Sequence, residues 1–191
     1  SGFAQHIALH LRQTWCHYYA AEKGHPIGPK KILKEHNYGT FSARYGNLYT
    51  ARQLVQLFKR AHNTFSPVED VWAHEDGSLR DPFRPNVQPG GYITKQEVIA
   101  DREQHLAYVK TMFEKMDVFV FTLGLTECWR SKIDGAVFPL CPGVEGGEFS
   151  HELYEFYNQT VFDVITDMNE FIHLLKEVNP NAQIILTVSP V

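Results

Sequence analysis

The sequence predicts an α/β protein whose parallel sheet is covered by helices on both faces. Residues 118–123 form a continuous apolar run, which is typical of a strand buried on both sides in a parallel sheet. A second apolar run spans residues 184–188, and an amphipathic helical pattern lies between the two. Strand, long crossover with a helix, and strand form a βαβ unit, in which the two strands are parallel.

The first helix follows from apolar residues that recur every four positions. Phe3, Ile7, Leu11 and Trp15 share one face of such a helix. Ser1 stands at the N-cap position, where a hydroxyl can accept a hydrogen bond from a free helical N–H. We therefore expect a helix that begins directly after Ser1.

Three later helices show the same periodicity after a capping residue. They are expected to begin after Thr50, after Thr94 and near Thr160, and the second should extend to about residue 114. Thr94 and Glu97 have the spacing of a capping box. The residues predicted to face inward are Leu54, Leu57, Phe58 and Ala61; Ile99, Leu106, Val109 and Phe113; and Val161, Ile165, Met168, Ile172 and Leu175.

The remaining segments are expected to be loops. Residues 38–47 are rich in Gly, Ser and aromatic residues, and residues 126–150 follow the first predicted strand. Residues 76–91 contain several Pro and Gly and predict an ordered but irregular segment. Trp72, Phe83 and Tyr92 should pack this segment against the same domain.

Composition excludes several classes of protein. The chain has 191 residues, 43% hydrophobic and 21% charged, which is typical of an ordinary globular domain. Its net charge of −4 comes without a dense basic cluster, so nucleic acid is not an expected partner. No apolar run is long enough for a membrane segment. The three cysteines are widely spaced, which fits neither a disulfide framework nor a zinc site and favours a cytoplasmic location.

Both ends of the sequence suggest a piece of a longer polypeptide. The chain begins at Ser1 without an initiator Met or a signal peptide, and it stops at Val191, directly after a predicted core strand. The neighbours of that strand would then lie outside the sequence. We expect residues 1–191 to form one domain that is truncated before Ser1 and after Val191.

Several segments resemble a known family when they are taken in order. Residues 1–7 resemble the signature Gly-Ser-Cys-Phe-Ala of GSCFA domains, with Gly2 in place of the usual Cys. The further matches are residues 45–51, 81–85, 121–127, 141–143 and 186–191. Together they cover essentially the whole chain, and their order is more specific than any one of them.

The resemblance implies a fold and a chemistry. GSCFA domains resemble the SGNH or GDSL esterases, which implies a three-layer α/β/α sandwich of the flavodoxin-like type. In that superfamily a Ser that opens the first helix is the nucleophile. A Gly and an Asn from later loops complete the oxyanion hole, and a His in an Asp-x-x-His segment is the base.

Ser1 is the catalytic residue that the resemblance implies. A hydroxyl at a helix N-terminus lies at the positive end of the helix dipole, which favours developing negative charge. Ser is also one of the commonest N-caps, so its position alone is only permissive. Gly46 and Asn47 are the expected oxyanion or substrate-binding residues of the second loop, although Gly-Asn is also ordinary in turns.

Three more candidates follow the strand at residues 118–123. Gly124 ends this strand, and ligands bind beyond the carboxyl ends of parallel strands. The superfamily commonly has an Asn shortly after this Gly, whereas this chain has Thr126, so Thr126 or a backbone N–H would replace it. Glu127 is expected either to orient a polar group or sugar hydroxyl, or to be a surface carboxylate.

The sequence offers no candidate for the general base. None of the ten His lies in an Asp-x-x-His segment near the C-terminus, and each is expected to be solvated. Without a base a Ser hydroxyl is a poor nucleophile, so this chain alone is expected to be inactive. Cys141 is expected to be structural or to line the substrate, and no set of residues has the spacing of a metal site, so no metal or cofactor is predicted.

The leading hypothesis is a serine esterase or O-acyltransferase that acts on an acylated carbohydrate, as in polysaccharide biosynthesis, through an acyl-enzyme. The alternative is a glycan-binding module of the same fold without catalysis. A nucleotide-binding domain is disfavoured, because no Gly-rich phosphate loop follows a strand. The aromatic residues expected to stack on sugars are Tyr38, Phe41, Tyr45, Tyr49, Trp129 and Phe138.

Overall fold

The computed structural model describes residues 2–14 and 16–189, and this part of the chain contains five helices and seven strands. The helices are α1 (Gly2–Gln13), α2 (Lys30–Glu35), α3 (Ala51–Ala61), α4 (Lys95–Lys115) and α5 (Val161–Val178). The strands are β1 (Trp72–Ala73), β2 (Leu79–Arg80), β3 (Val118–Leu123), β4 (Glu127–Ser131), β5 (Val137–Phe138), β6 (Tyr154–Asn158) and β7 (Gln183–Val188). None of the described helices is both long and apolar enough to cross a membrane.

The predicted parallel strands are present and paired. β3 and β7 run parallel, in a register that extends from Val118 opposite Gln183 to Leu123 opposite Val188. α5 lies between the two strands in the chain, so the predicted strand, crossover helix and strand are confirmed. The protein therefore has an α/β fold, and this sheet has two strands in the part of the chain that the structure describes.

α3, α4 and α5 pack on one another and against one face of β3. Three aromatic rings from the three helices meet at their centre, where Phe113 lies 5.2 Å from Phe58 and 5.7 Å from Phe171 between ring centroids. Phe119 of β3 joins them at 5.9 Å from Phe113. Burying such large rings removes much apolar surface from water, which makes this cluster the main core of the molecule.

The inward faces of the helices agree with the sequence for α3 and only in part for α4 and α5. All four residues predicted in α3 are buried, as are Val109 and Phe113 of α4. In α5, Val161 and Ile165 are exposed. Met168 and Leu175 are buried as predicted, and Phe171 and the partly buried Val164 complete the inward face in place of Val161 and Ile165. All of these residues are apolar, and packing against α3 and α4 selects which of them face inward.

Three helices begin with the same local device. The hydroxyl oxygen of Thr50, Thr94 or Thr160 accepts a hydrogen bond from the backbone N–H three residues later, and the side chain at that later position accepts one from the backbone N–H of the Thr. This reciprocal capping box satisfies N–H groups that have no partner inside the helix. The helix starts predicted from sequence are therefore confirmed.

The prediction of a continuous loop over residues 126–150 is wrong. β4 lies in the centre of a three-stranded antiparallel sheet, between β5 and β6. Glu127 pairs with Asn158, which lies far along the chain, so no local sequence pattern indicates this pairing. Only pairing of this kind holds such short strands in place.

A second core lies beneath this antiparallel sheet. Trp72, Phe83, Phe138 and Tyr154 are buried together, so residues 76–91 do pack against the same molecule, as predicted. α3 connects the two cores through Gln56. Its Nε2 donates to the backbone oxygen of Gly135 at 2.8 Å, and its Oε1 accepts from the backbone N–H of Val137 at 2.8 Å.

Candidate active site

The carboxyl end of β3 meets the loop of residues 45–49. The backbone N–H of Leu125, just after the strand, donates to the backbone oxygen of Tyr49 at 3.0 Å. The backbone N–H of Ser189, just after β7, donates to the backbone oxygen of Leu123 at 3.0 Å. Ligands of parallel sheets bind at this edge, so the loop lies where a site is expected.

Hydrogen bonds at both ends hold this loop in one conformation. The backbone N–H groups of Tyr49 and Thr50 donate to Oε1 of Gln53 at 2.9 and 3.0 Å, which ties the loop to the start of α3. The backbone oxygen of Ser42 accepts two more bonds, from residues 21 and 22. Gly46 has φ of +69°, a left-handed conformation that favours glycine. A residue with a side chain would adopt this turn only with strain.

A buried network of charged side chains lies under the loop. Arg44 bonds Oδ1 of Asp101 at 2.8 Å, and its backbone N–H donates to Oε2 of Glu22 at 2.7 Å. Arg84 bonds Asp101 at 2.8 Å and Asp81 at 3.0 Å. Every one of these five residues therefore has an oppositely charged partner or a backbone donor, as buried charges require.

His105 belongs to this network, so the expectation that every His is solvated is wrong here. It is 1% exposed, and its Nδ1 lies 2.8 Å from Oε2 of Glu22. Burial, together with the positive charge of Arg84, lowers the pKa of His105 to about 4, although Glu22 acts in the opposite direction. The ring is thus neutral near pH 7 and donates its Nδ1–H to the Glu22 carboxylate.

A cleft of about 240 Å³ opens above the network. Its walls are formed by parts of segments 37–49, 83–87 and 139–140, together with Gln5 from α1. Most of its polar groups are amides and hydroxyls, including Asn37, Thr40 and Asn86. Such groups can donate hydrogen bonds to sugar hydroxyls and accept hydrogen bonds from them, and they carry no formal charge.

Two of the predicted site residues line the cleft. Gly46 and Asn47 both contribute to its wall, and Gln5 shows that the second turn of α1 reaches the same space. Ser1, the predicted nucleophile, lies outside the described residues. The structure thus brings the predicted second loop and the first helix to one cleft.

The other three predicted residues lie beside the cleft rather than in its wall. Gly124 follows β3, and a side chain there would meet only the backbone oxygen of Tyr49 at 3.7 Å. Thr126 is exposed and its hydroxyl donates to Oδ1 of Asn158 at 2.6 Å. Glu127 is exposed at the start of β4. Thr126 and Glu127 therefore lie at the start of the central strand of the antiparallel sheet.

Sequence reasoning missed Gln5, Thr40, Arg84 and Asn86 as residues of the cleft. Segment 81–85 offered a signal, because it combines an acidic residue, a basic residue and two prolines within five positions. In the structure its Asp81 is fully buried and is bonded to Arg84 and to Arg102. This segment acts as a rigid wall, since ion pairs fix its side chains and prolines restrict its backbone.

Some of the aromatic residues predicted to contact sugars line the cleft, and others do not. Phe41 and Tyr49 line the cleft. Phe138 does not, because it is 1% exposed and its ring centroid lies 5.2 Å from that of Trp72 in the second core. Of the six aromatic residues predicted to contact sugars, Phe41 and Tyr49 therefore line the cleft, and Phe83, which was not predicted, lines it as well.

None of the described residues that line the cleft is His, Asp, Glu or Cys. Cys141 follows directly after the lining residue Leu140, and burial raises the pKa of its thiol, which disfavours the thiolate. Among the described residues, no three His, Cys, Asp or Glu side chains come together closely enough to hold a metal ion.

Comparison with known proteins places the chain. The sequence model of the GSCFA family matches residues 1–191. The chain belongs to the GSCFA family. No match is found among curated proteins or among solved structures. In this GSCFA protein, two of the segments that resemble the family, 45–51 and 81–85, both reach the cleft.

Proposed function

We propose that this GSCFA protein is a serine esterase or O-acyltransferase, and that it acts on an acylated carbohydrate through an acyl-enzyme at Ser1. The observation that carries the proposal is the cleft, where the loop of Gly46 and Asn47 meets Gln5 of α1. The same loop is hydrogen-bonded to the backbone just after β3, so the cleft lies beside the carboxyl end of that strand. This is the arrangement in which a Ser before α1 would face an oxyanion donor on a later loop.

The proposal assigns a role to each part of the cleft. Gly46 offers its backbone N–H to the carbonyl oxygen of the ester, because its turn is fixed from both sides. Asn47 supplies the second polar contact. The uncharged amides and hydroxyls of Asn37, Thr40 and Asn86 suit the hydroxyls of a sugar.

The proposal extends to the fold and the cellular role. The parallel pair β3 and β7, with α5 as its crossover, agrees with a three-layer sandwich of the SGNH type. Acyl transfer onto a glycan would serve polysaccharide biosynthesis. The three cysteines are all free, which favours a cytoplasmic setting for that reaction. The general base of the proposed reaction would be the His of the Asp-x-x-His segment that the resemblance implies.

A fluorophosphonate probe tests the role of Ser1 directly. We expect the full-length protein to form a covalent adduct that peptide mapping assigns to Ser1, and we expect S1A to form none. Ser66→Ala, an exposed serine in a loop, is the matched control and should be labelled like the unaltered protein. The proposal is overturned if the protein forms no adduct at Ser1 while a control esterase is labelled.

The alternative is a glycan-binding module without catalysis. It is favoured by one observation: the described residues that line the cleft include no His, Asp, Glu or Cys. If this alternative holds, calorimetry should show that the unaltered protein and S1A bind oligosaccharides equally well. The unaltered protein should then form no adduct with the fluorophosphonate probe. An adduct at Ser1 would exclude this alternative.

A further inference from the structure

A small cavity of about 20 Å³ lies beside the charged network, between α3, segments 45–48 and 83–84, and β5. We call it the Arg60 cavity, because Arg60 of α3 is one of its lining residues. A space of this volume has room for about one water molecule or one ion of similar size. Phe83, Arg84 and Pro139 line both this cavity and the cleft. An occupant of the cavity would therefore contact the wall of the cleft.

Arg60 is a buried cation without a full set of acceptors. It is 7% exposed, and its Cζ lies 3.8 Å from the centroid of the Phe83 ring. Stacking on a ring covers one face of a guanidinium and leaves its in-plane N–H donors free. Nη2 of Arg60 has no hydrogen-bond partner among the described residues. Burial lowers the pKa of Arg60 to about 9, so the side chain is still charged near pH 7.

The carboxylate of Asp81 attracts Arg60 but is bonded to other groups. Its Oδ2 lies 3.0 Å from Nε of Arg84 and 3.3 Å from Nε of Arg102. Its Oδ1 accepts a hydrogen bond from the backbone N–H of Phe83 at 3.1 Å. Asp81 thus acts on Arg60 through its charge and not through a hydrogen bond to Nη2.

The charges buried around the cavity do not balance. His105 is neutral near pH 7, which leaves four arginines and three carboxylates, none of them more than 20% exposed. The cations are Arg44, Arg60, Arg84 and Arg102, and the anions are Glu22, Asp81 and Asp101. One positive charge is therefore in excess. An uncompensated charge away from water is unfavourable, and a counterion removes that cost.

The oxygens of the two amide side chains that line the cavity already accept hydrogen bonds. Oε1 of Gln53 accepts from the backbone N–H groups of residues 49 and 50. Oε1 of Gln56 accepts from the backbone N–H of Val137 at 2.8 Å. A water molecule needs acceptors for its own hydrogens, whereas an anion needs only donors. An anion therefore suits this lining better than water does.

We propose that the Arg60 cavity binds one small monovalent anion, chloride, which neutralises Arg60. Chloride is close to water in size, supplies the single negative charge that the buried group lacks, and accepts N–H groups from any direction. Sulfate and phosphate are too large for a space of about 20 Å³. The inference depends neither on Ser1 nor on the proposed reaction. Since Phe83 and Arg84 also line the cleft, the bound ion holds that wall in place.

Thermal unfolding of the full-length protein in sodium chloride and in sodium gluconate, at equal ionic strength, measures the effect. From about 10 to about 200 mM salt, Tm should rise by at least about 2 °C more in chloride, because a ligand that binds only the folded state stabilises it. In R60M this difference should disappear, since Met can still pack on Phe83 but carries no charge. K59M removes a charge from the neighbouring position of α3, outside the lining of the cavity, and should behave like the unaltered protein.

Bromide locates the ion without any substitution. Crystals of the unaltered protein grown in sodium bromide should show an anomalous scattering peak in contact with the guanidinium of Arg60. A chloride effect on Tm together with this peak supports the inference even if R60M fails to fold.

Three results overturn the inference. Equal Tm values in chloride and gluconate, with no peak at Arg60, mean that the cavity holds water only. A peak without a chloride effect on Tm means binding at crystal concentration only. A chloride effect that persists in R60M means that the stabilising ion is bound elsewhere.

Discussion

Each charged side chain beneath the cleft owes its position to a specific partner. Asp81 is fully buried, and Arg84 and Arg102 bond its carboxylate at 3.0 and 3.3 Å. A buried ion pair adds little net stability, because desolvation offsets the attraction, but losing one partner is expensive. The network therefore acts mainly on specificity: it allows one arrangement of segment 81–85 against α4, and so sets the wall of the cleft.

His105 makes the stability of the protein depend on pH. Because burial lowers its pKa from 6.5 to about 4 in the folded protein, the unfolded chain binds the proton first as pH falls. The stabilising contribution of the neutral ring is present above pH 6.5 and is lost on acidification towards pH 4. Burial alone would raise the pKa of Glu22, but the contacts with His105 and Arg44 outweigh burial and lower it. The stabilising contribution of the Glu22 carboxylate is therefore lost only when the pH falls below the ordinary pKa of a Glu.

Replacing His105 by Gln tests this linkage. The Gln amide can still donate to Glu22 but does not titrate, so H105Q should lose about 2 kcal/mol less stability between pH 7 and pH 5 than the unaltered protein. Urea denaturation at the two pH values measures the difference. His173→Gln, at a side chain that is 75% exposed, is the control and should follow the unaltered protein. A parallel loss in H105Q would show that His105 does not titrate in this range.

At the scale of elements, helix starts depend on interactions three residues apart. Thr160 precedes α5, and its capping box with Asp163 is exposed, so no core packing is disturbed when the hydroxyl is removed. T160A should destabilise the protein by about 1 kcal/mol, because the N–H of Asp163 loses its acceptor. T160S keeps the hydroxyl and should lose less than half of that in urea denaturation. Equal losses in both variants would mean that the methyl group, not the cap, is responsible.

Helices and the parallel strands could be predicted because their signals are local. The capping boxes occupy four residues, and the apolar run of β3 is visible without knowledge of its partner. The antiparallel sheet could not be predicted, since β4 pairs with β6 across a long intervening segment. In α5, Met168 was predicted correctly, but Ile165 was predicted to be buried and Phe171 was not. Both are apolar, and only the contact with the other helices distinguishes them.

The same difference between local and long-range signals applies to the cleft. Gly46 and Asn47 could be predicted because they lie in one short segment that resembles the family. Gln5 and Arg84 also lie in segments that resemble the family, but only the fold shows that these distant segments reach the same cleft as Gly46. His105 shows the same limit: nothing near it in the sequence indicates that Glu22 lies 2.8 Å from its ring.

At the scale of the whole molecule, α3 joins two cores that have separate compositions. Its apolar side packs in the main core, while Gln56 holds the backbone of residues 135 and 137 next to the second core. Both bonds are short and at least partly buried, so the end of the antiparallel sheet cannot leave α3 without exposing unpaired groups. The two cores should therefore unfold together.

A core substitution far from the cleft tests this cooperativity. Phe171 is fully buried against Phe58, Phe113 and Phe119 and does not line the cleft. F171A should destabilise the protein by about 3–5 kcal/mol, because it removes apolar contacts and leaves a cavity. F162A, at a side chain that is 78% exposed on the same helix, should change stability by less than about 0.5 kcal/mol.

Two probes then show whether the loss reaches both cores. Helix content, measured by circular dichroism, reports mainly on the main core, while the fluorescence of Trp72 and Trp129 reports on the antiparallel region. If α3 couples the cores, both probes should give the same lowered urea midpoint in F171A, as in a two-state transition. A fluorescence midpoint that stays at the value of the unaltered protein would mean that the second core unfolds independently of the helices.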